Sequence, residues 1–280
     1  MSKKNEVMSV EDLAVLDNAY PVVEESNRLN LPRFGMLSKD IVEESGKGKN
    51  KTIKVIEAAG TFFVEKDNGE VDPKTGKKVW AKEFIGDKAD VIIAFERKQL
   101  RKFDSSLEKF ISSPIYDNGE QIIPLYLDKQ IIERGTAKEL QALYPKLTQK
   151  GKPSSDLKEE TILYVIYSGE LHQCTLTQSS KWAFKDYKKS LNPDNPTKVL
   201  TSLGSVEETF GENTYSKMTF AKSRYITKDE LDIVLESNSL LKEKAEADNK
   251  YFLANVNAPA LGSGDDELDE IANSGSQDFK

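Results

Sequence analysis

Side chains able to hold a metal or relay a proton are scarce in this sequence of 280 residues, which contains one histidine, His172, and one cysteine, Cys174. That excludes a multi-histidine metal centre, a thiolate-rich zinc site and an internal disulfide. His172 and Cys174 lie two apart on an expected strand and share a face, which invites a thiol–imidazole dyad. The strand rise separates such side chains by about 6.5–7 Å, too far for direct proton transfer, and the competing reading is a packed or half-exposed strand pair. Gly69 to Lys78 has the outline of a phosphate-binding loop. Six residues separate Gly69 from Gly76 where four are required, and Lys78 stands where a hydroxyl must reach magnesium. Asp and Glu are plentiful, but no pair is singled out for acid–base work. No catalytic residue, metal ligand or cofactor is assigned, and the expectation is binding rather than catalysis. An enzyme with carboxylate chemistry is the minority alternative.

The positive signal is the interleaving of rings and cations. In Ser179-Ser180-Lys181-Trp182-Ala183-Phe184-Lys185-Asp186-Tyr187-Lys188-Lys189, a helical period of about 100° per residue gathers Ala183, Phe184, Tyr187 and Leu191 on one arc. Lys181, Lys185, Lys188 and Lys189 fall on another arc, and Trp182 borders the lysines. Ammonium groups for phosphates beside a ring for base stacking are what a single-stranded nucleic-acid surface needs. The alternative is a solvated lysine face with Trp182 tucked against a neighbouring element. A second cluster, Arg97, Lys98, Arg101, Lys102 and Phe103, directly follows an apolar strand. It could track a phosphate backbone or equally protect a sheet edge with charge. Trp80, near Lys77, Lys78 and Lys82, is a third instance.

These side chains need a frame, and the pattern predicts one rich in strands. Strands are expected over Thr52–Ala58, Asp90–Phe95, Gln121–Leu127, Thr161–Tyr167, Leu171–Thr177, Lys198–Leu203 and Thr214–Ala221. Pro124 pushes the third toward an edge or a bulge. Phe62, Val64, Val79, Trp80 and Phe84 flank a turn-rich insertion read as a long hairpin tip. Glu44–Asn50 and Gln149–Ser155 read as loops. Helices are expected at Thr136–Tyr144, ended by Pro145, and from Ser179 or Ser180 to Ser190. A final helix opens at Thr227 with Glu230 completing a capping box. A short helical candidate starts at Ser9, with Asp12 three residues on completing a partial capping signal. The class is α+β: an antiparallel sheet or OB-like small barrel with inserted helices and a C-terminal helix. The expected division is a flexible arm over 1–30, a single folded β-rich body over 31–250 and a disordered acidic tail over 251–280.

The net charge of −7 is unevenly distributed. Residues 1–30 carry a net −3 and residues 261–280 a net −5, whereas residues 31–225 carry a net +4. The acidity sits at the ends and the body is mildly basic, a distribution compatible with an anionic partner. Neither a secretion signal nor an apolar run of roughly 20 residues is visible, so a cytoplasmic location without membrane contact is expected.

A strand-rich body with basic and aromatic interleaving, followed by Asp265, Asp266, Glu267, Asp269 and Glu270 and then Phe279 near the end, resembles bacterial and phage single-stranded-DNA-binding proteins. Leu163-Tyr164-Val165-Ile166-Tyr167-Ser168-Gly169-Glu170-Leu171 with Ser179, Ser180 and Tyr187 also looks like phage proteins of that role. The resemblance implies an OB-fold core that binds single-stranded DNA. It also implies a tail that recruits replication or recombination proteins and competes with DNA for the basic groove. In this chain Ala272 to Ser276 separate the acidic run from Phe279, and Lys280 is last. The competing expectation is a structural or regulatory phage protein, a virion component or a transcription or defence modulator, with ends that only solubilise. The oligomeric state is not legible.

Overall fold

Residues 31–45, 52–71, 78–127, 130–148, 151–210 and 213–256 are described by a computed structural model of the chain. The N-terminal arm with its helical candidate at Ser9, the hairpin tip at 72–77 and the tail from 257 onward lie outside the described residues. What is described is α+β, with the strands in mostly antiparallel pairs. It divides into two units, one of residues up to Arg97 together with Glu160–Lys244, the other of Lys98–Glu159 with the end of the last helix.

The first unit begins with β1 (Phe34–Met36), a two-stranded ribbon of β2 (Ile41–Ser45) and β3 (Thr52–Glu57), then β4 (Phe62–Val71) and β5 (Lys78–Gly86). β1, β4 and β5 form a sheet in that order. Gly35 faces Phe63 across β1 and β4, and a Cβ there would stand 2.5 Å from the Phe63 ring, so only glycine lets the ring lie against the backbone. β4 shows its role by burial: Phe62, Phe63 and Val64 are buried, and the residues from Lys66 on are exposed. β6 (Lys88–Asp104) then enters, with Val91 to Phe95 buried on both faces.

β6 continues into the second unit, where β7 (Lys109–Tyr116), β8 (Ile123–Leu127) and β9 (Gln130–Gly135) follow as an antiparallel meander. The register shift in β8 falls between Leu125 and Tyr126, just past Pro124. α1 (Ala137–Ala142) opens on a capping box: the Thr136 hydroxyl accepts from the Glu139 amide at 3.4 Å, and the Glu139 carboxylate accepts from the Thr136 amide at 2.8 Å. β10 (Pro145–Leu147) and β11 (Pro153–Ser155) pair with each other. The core of this unit is Leu100, Ile111, Tyr116, Ile123, Leu125, Leu140 and Leu157.

β12 (Lys158–Tyr167) leads back into the first unit and pairs with β13 (Glu170–Leu176). The turn between them places Ser168 and Gly169 at φ of 50° and 83°. Two successive positive φ values match the right-handed twist of a tight hairpin. α2 (Gln178–Ser190) follows, then β14 (Val199–Phe210) and β15 (Asn213–Tyr225), a long hairpin whose first strand also pairs with β6, Leu200 opposite Ile92. α3 (Lys228–Val256) starts with the expected box, the Glu230 carboxylate accepting from the Thr227 amide at 2.7 Å. The core here includes Phe34, Phe62, Val91, Ile93, Leu163, Val165, Cys174, Phe184, Tyr187 and Leu203. Of the two expected architectures, the strand order among the described residues shows antiparallel sheets. No described helix is long and apolar enough to cross a membrane.

Candidate nucleic-acid interface

α2 is anchored on one side and open on the other. Thr177 caps its start, its hydroxyl accepting from the Ser180 amide. Ser180 is buried, and its oxygen accepts from the Met218 amide of β15 at 3.0 Å. One and two turns on, Phe184 packs on Phe220 with ring centroids 5.3 Å apart, and Tyr187 stacks on the same ring at 5.9 Å. The Tyr187 hydroxyl pairs with the Thr201 hydroxyl at 2.7 Å, so the buried phenol is satisfied. Leu191 closes the apolar row. These contacts fix the rotation of the helix about its axis.

That rotation puts Trp182 outside. The indole is 56% exposed, and the Lys185 ammonium stands 5.3 Å from its ring centroid, within cation–π range. The tucked-tryptophan alternative is therefore not what the helix does. Lys185 and Lys189 are exposed, and Lys189 is 3.3 Å from Asp186, an exposed pair of little energetic weight. Lys181 is half-buried. Lys188 differs from the rest: its ammonium is paired with Glu96 of β6 and lies 5.0 Å from the Phe184 ring centroid, so it braces the helix.

The second cluster does not follow the strand, as its sequence suggested; it is the strand, because β6 runs on to Asp104. Arg97 is 2% exposed, which takes it out of any phosphate-binding surface. In the second unit, Lys98 pairs with Glu159 at 3.4 Å, and Lys102 lies 5.0 Å from the Tyr144 ring and 4.0 Å from Asp104. Phe103 is exposed and meets Phe110 of β7, a ring the sequence reading missed; β7 itself, which runs unbroken through Pro114, was not anticipated. Trp80 sits half-buried on β5, opposite Asp67, while its neighbour Lys82 lies 4.6 Å from the buried Phe63 ring. The tail residues Asp265, Asp266, Glu267, Asp269, Glu270 and Phe279 lie outside the described residues.

The His172–Cys174 pair is buried on β13, both side chains 1% exposed. Burial pushes the Cys174 thiol up to about 12, with the charge of Arg33 pulling weakly the other way. Burial also lowers the His172 imidazole, against the smaller opposing pull of the Glu170 carboxylate 4.0 Å away. A protonated thiol beside a neutral imidazole is no nucleophile. In native protein Cys174 should resist a disulfide-exchange reagent and react only on unfolding. Above the ordinary thiol range, near 8.5, the unfolded chain ionises first and binds fewer protons. Stability is then lost as pH rises from that value toward about 12. Cys174→Ala should flatten this alkaline slope in urea melts; rapid labelling of native protein would contradict the placement. Among the described residues no three His, Cys, Asp or Glu side chains gather as a metal site.

Comparison with protein-family models, with curated proteins and with solved structures finds no match.

Proposed function

We propose that this chain is a non-catalytic single-stranded-DNA-binding protein of phage-type DNA replication or recombination, acting in the host cytoplasm. The observation that carries the reading is the exposed Trp182 ring, with Lys185 over it and exposed Lys189 two turns on, on a helix whose opposite face is fixed in the core. An indole carried on an anchored helix can stack on any base, because every base has a π-face. Adjacent ammonium groups take phosphates without reading sequence. The mildly basic body between acidic ends supports the same reading. The reading rests on these side chains, with an OB-like barrel and a partner-recruiting acidic tail as the finer parts of the proposal.

The test is binding of a fluorescent single-stranded oligonucleotide at two salt concentrations. Affinity should fall steeply as salt rises, by about 0.7 in the log–log slope for each phosphate neutralised. An absence of binding at low salt sinks the reading. A second reading, a structural or regulatory phage protein, draws on Ile41, Val42, Val55 and Ile56, exposed apolar residues of the β2–β3 ribbon. Stable self-association without nucleic acid would favour it.

A further inference from the structure

The β6–β7 hairpin of the second unit carries aromatic surface that folding leaves uncovered. Phe103 stands directly opposite Phe110, and Arg101 opposite Ser112. Residues opposite one another, and alternate residues along a strand, share a face. Arg101, Phe103 and Phe110 therefore lie on one side of the ribbon, and Ile111, which joins the core with Leu100, lies on the other. The two phenyl rings are 52% and 47% exposed, with centroids 5.0 Å apart and planes tilted by 60°. The Arg101 guanidinium lies over Phe110, its central carbon 3.9 Å from the ring centroid.

The turn that joins the strands is fixed from within. One Asp104 carboxylate oxygen accepts from the Ser106 amide at 3.0 Å, the Ser106 hydroxyl at 2.6 Å and the Leu107 amide at 3.3 Å. Those hydrogen bonds, with a smaller contribution from Lys102, hold the carboxyl below its usual range. The Asp104 carboxylate is thus turned toward the donors of its own turn, while the two rings are exposed. A cross-strand ring pair by itself stabilises a hairpin; a guanidinium stacked on that pair adds a planar cation suited to phosphate.

We propose that this face is a second single-stranded nucleic-acid contact, on which bases stack against Phe103 and Phe110 while Arg101 meets the backbone. The proposal rests on the binding reading above and adds a contact separate from Trp182. An anionic lipid surface fits less well, because Leu107 is the one aliphatic side chain at the turn.

The test uses the full chain and a fluorescein-labelled oligothymidylate. The double variant Phe103→Leu, Phe110→Leu keeps apolar contact across the ribbon and removes the π-faces. Its affinity should fall about tenfold or more, with the urea midpoint lowered only slightly by loss of the ring pair. Should the leucines disturb folding, Phe110→Trp in a Trp80→Phe, Trp182→Phe background, where it is the one tryptophan, reads stacking directly, as fluorescence quenched on adding the oligonucleotide. Unchanged affinity in a folded double variant, or an unquenched Trp at 110, overturns the hairpin contact. If Trp182→Ala still weakens binding in that case, the reading on α2 stands. If wild-type protein does not bind the oligonucleotide at low salt, both fall. Loss of binding to phosphatidylserine vesicles with unchanged oligonucleotide affinity also overturns the proposal.

Discussion

Trp182→Ala should weaken single-stranded oligonucleotide binding by about 1–3 kcal/mol while leaving the fold and the salt slope nearly unchanged. The indole is more than half exposed and its contact is with Lys185 of the same helix, so truncation opens no cavity. Surface substitutions of that kind stay within about 0.5 kcal/mol of wild-type stability. Lys185→Ala is the complementary measurement. It removes a phosphate contact, so the log–log salt slope should fall by about 0.7 for a single strand. Lys188→Ala should show less of this, because that ammonium is held by Glu96. A folded Trp182→Ala protein that binds as wild type would remove the ring from the interface.

Phe184→Ala, two residues along the same helix, should do the opposite: destabilise by about 3–5 kcal/mol. The side chain is 2% exposed and packs against Phe220 and Tyr187. Deleting it loses the transfer free energy of the ring and leaves a cavity that Phe220 fills only by abandoning Tyr187. Urea unfolding should show a lower midpoint with a similar slope. A loss below 1 kcal/mol would mean that α2 is not seated as described, and the exposure of Trp182 would lose its basis.

The face of α2 was legible in the sequence because a helix that buries one side must repeat apolar residues at its own period, and Phe184, Tyr187 and Leu191 do so. The capping box of Thr227 with Glu230 was legible for a similar reason, since it satisfies local donors whatever surrounds it; the box of Thr136 with Glu139 has the same spacing and was passed over. The extent of strands was not. β6 was expected to stop at Phe95, because Arg97 to Lys102 reads as solvent-exposed charge; the ladder continues through those residues and even buries Arg97. β14 and β15 likewise run beyond the expected Leu203 and Ala221, since an exposed hairpin needs paired backbone and no apolar alternation. β2 and β9 escaped notice, and β7 with them. The ring opposite Phe103 lies only seven residues on, across the turn at 105–108, and was missed because β7 itself was not expected there.

The path of β6 also sets an order of assembly. Its first half pairs with β14, Asp90 opposite Ser202, so that ladder must wait until the later strand has been made. Its second half meets β7 after a short turn, and β7, β8 and β9 then follow one another as local hairpins. Closing short loops costs less chain entropy than closing long ones. On a ribosome releasing the chain from its N-terminus, the Lys98–Glu159 meander can therefore form first, while Val91 to Phe95 just upstream remain uncovered apolar backbone. Nascent chains halted before β14 should accordingly be the ones most prone to aggregate, through a stretch that the finished protein buries on both faces.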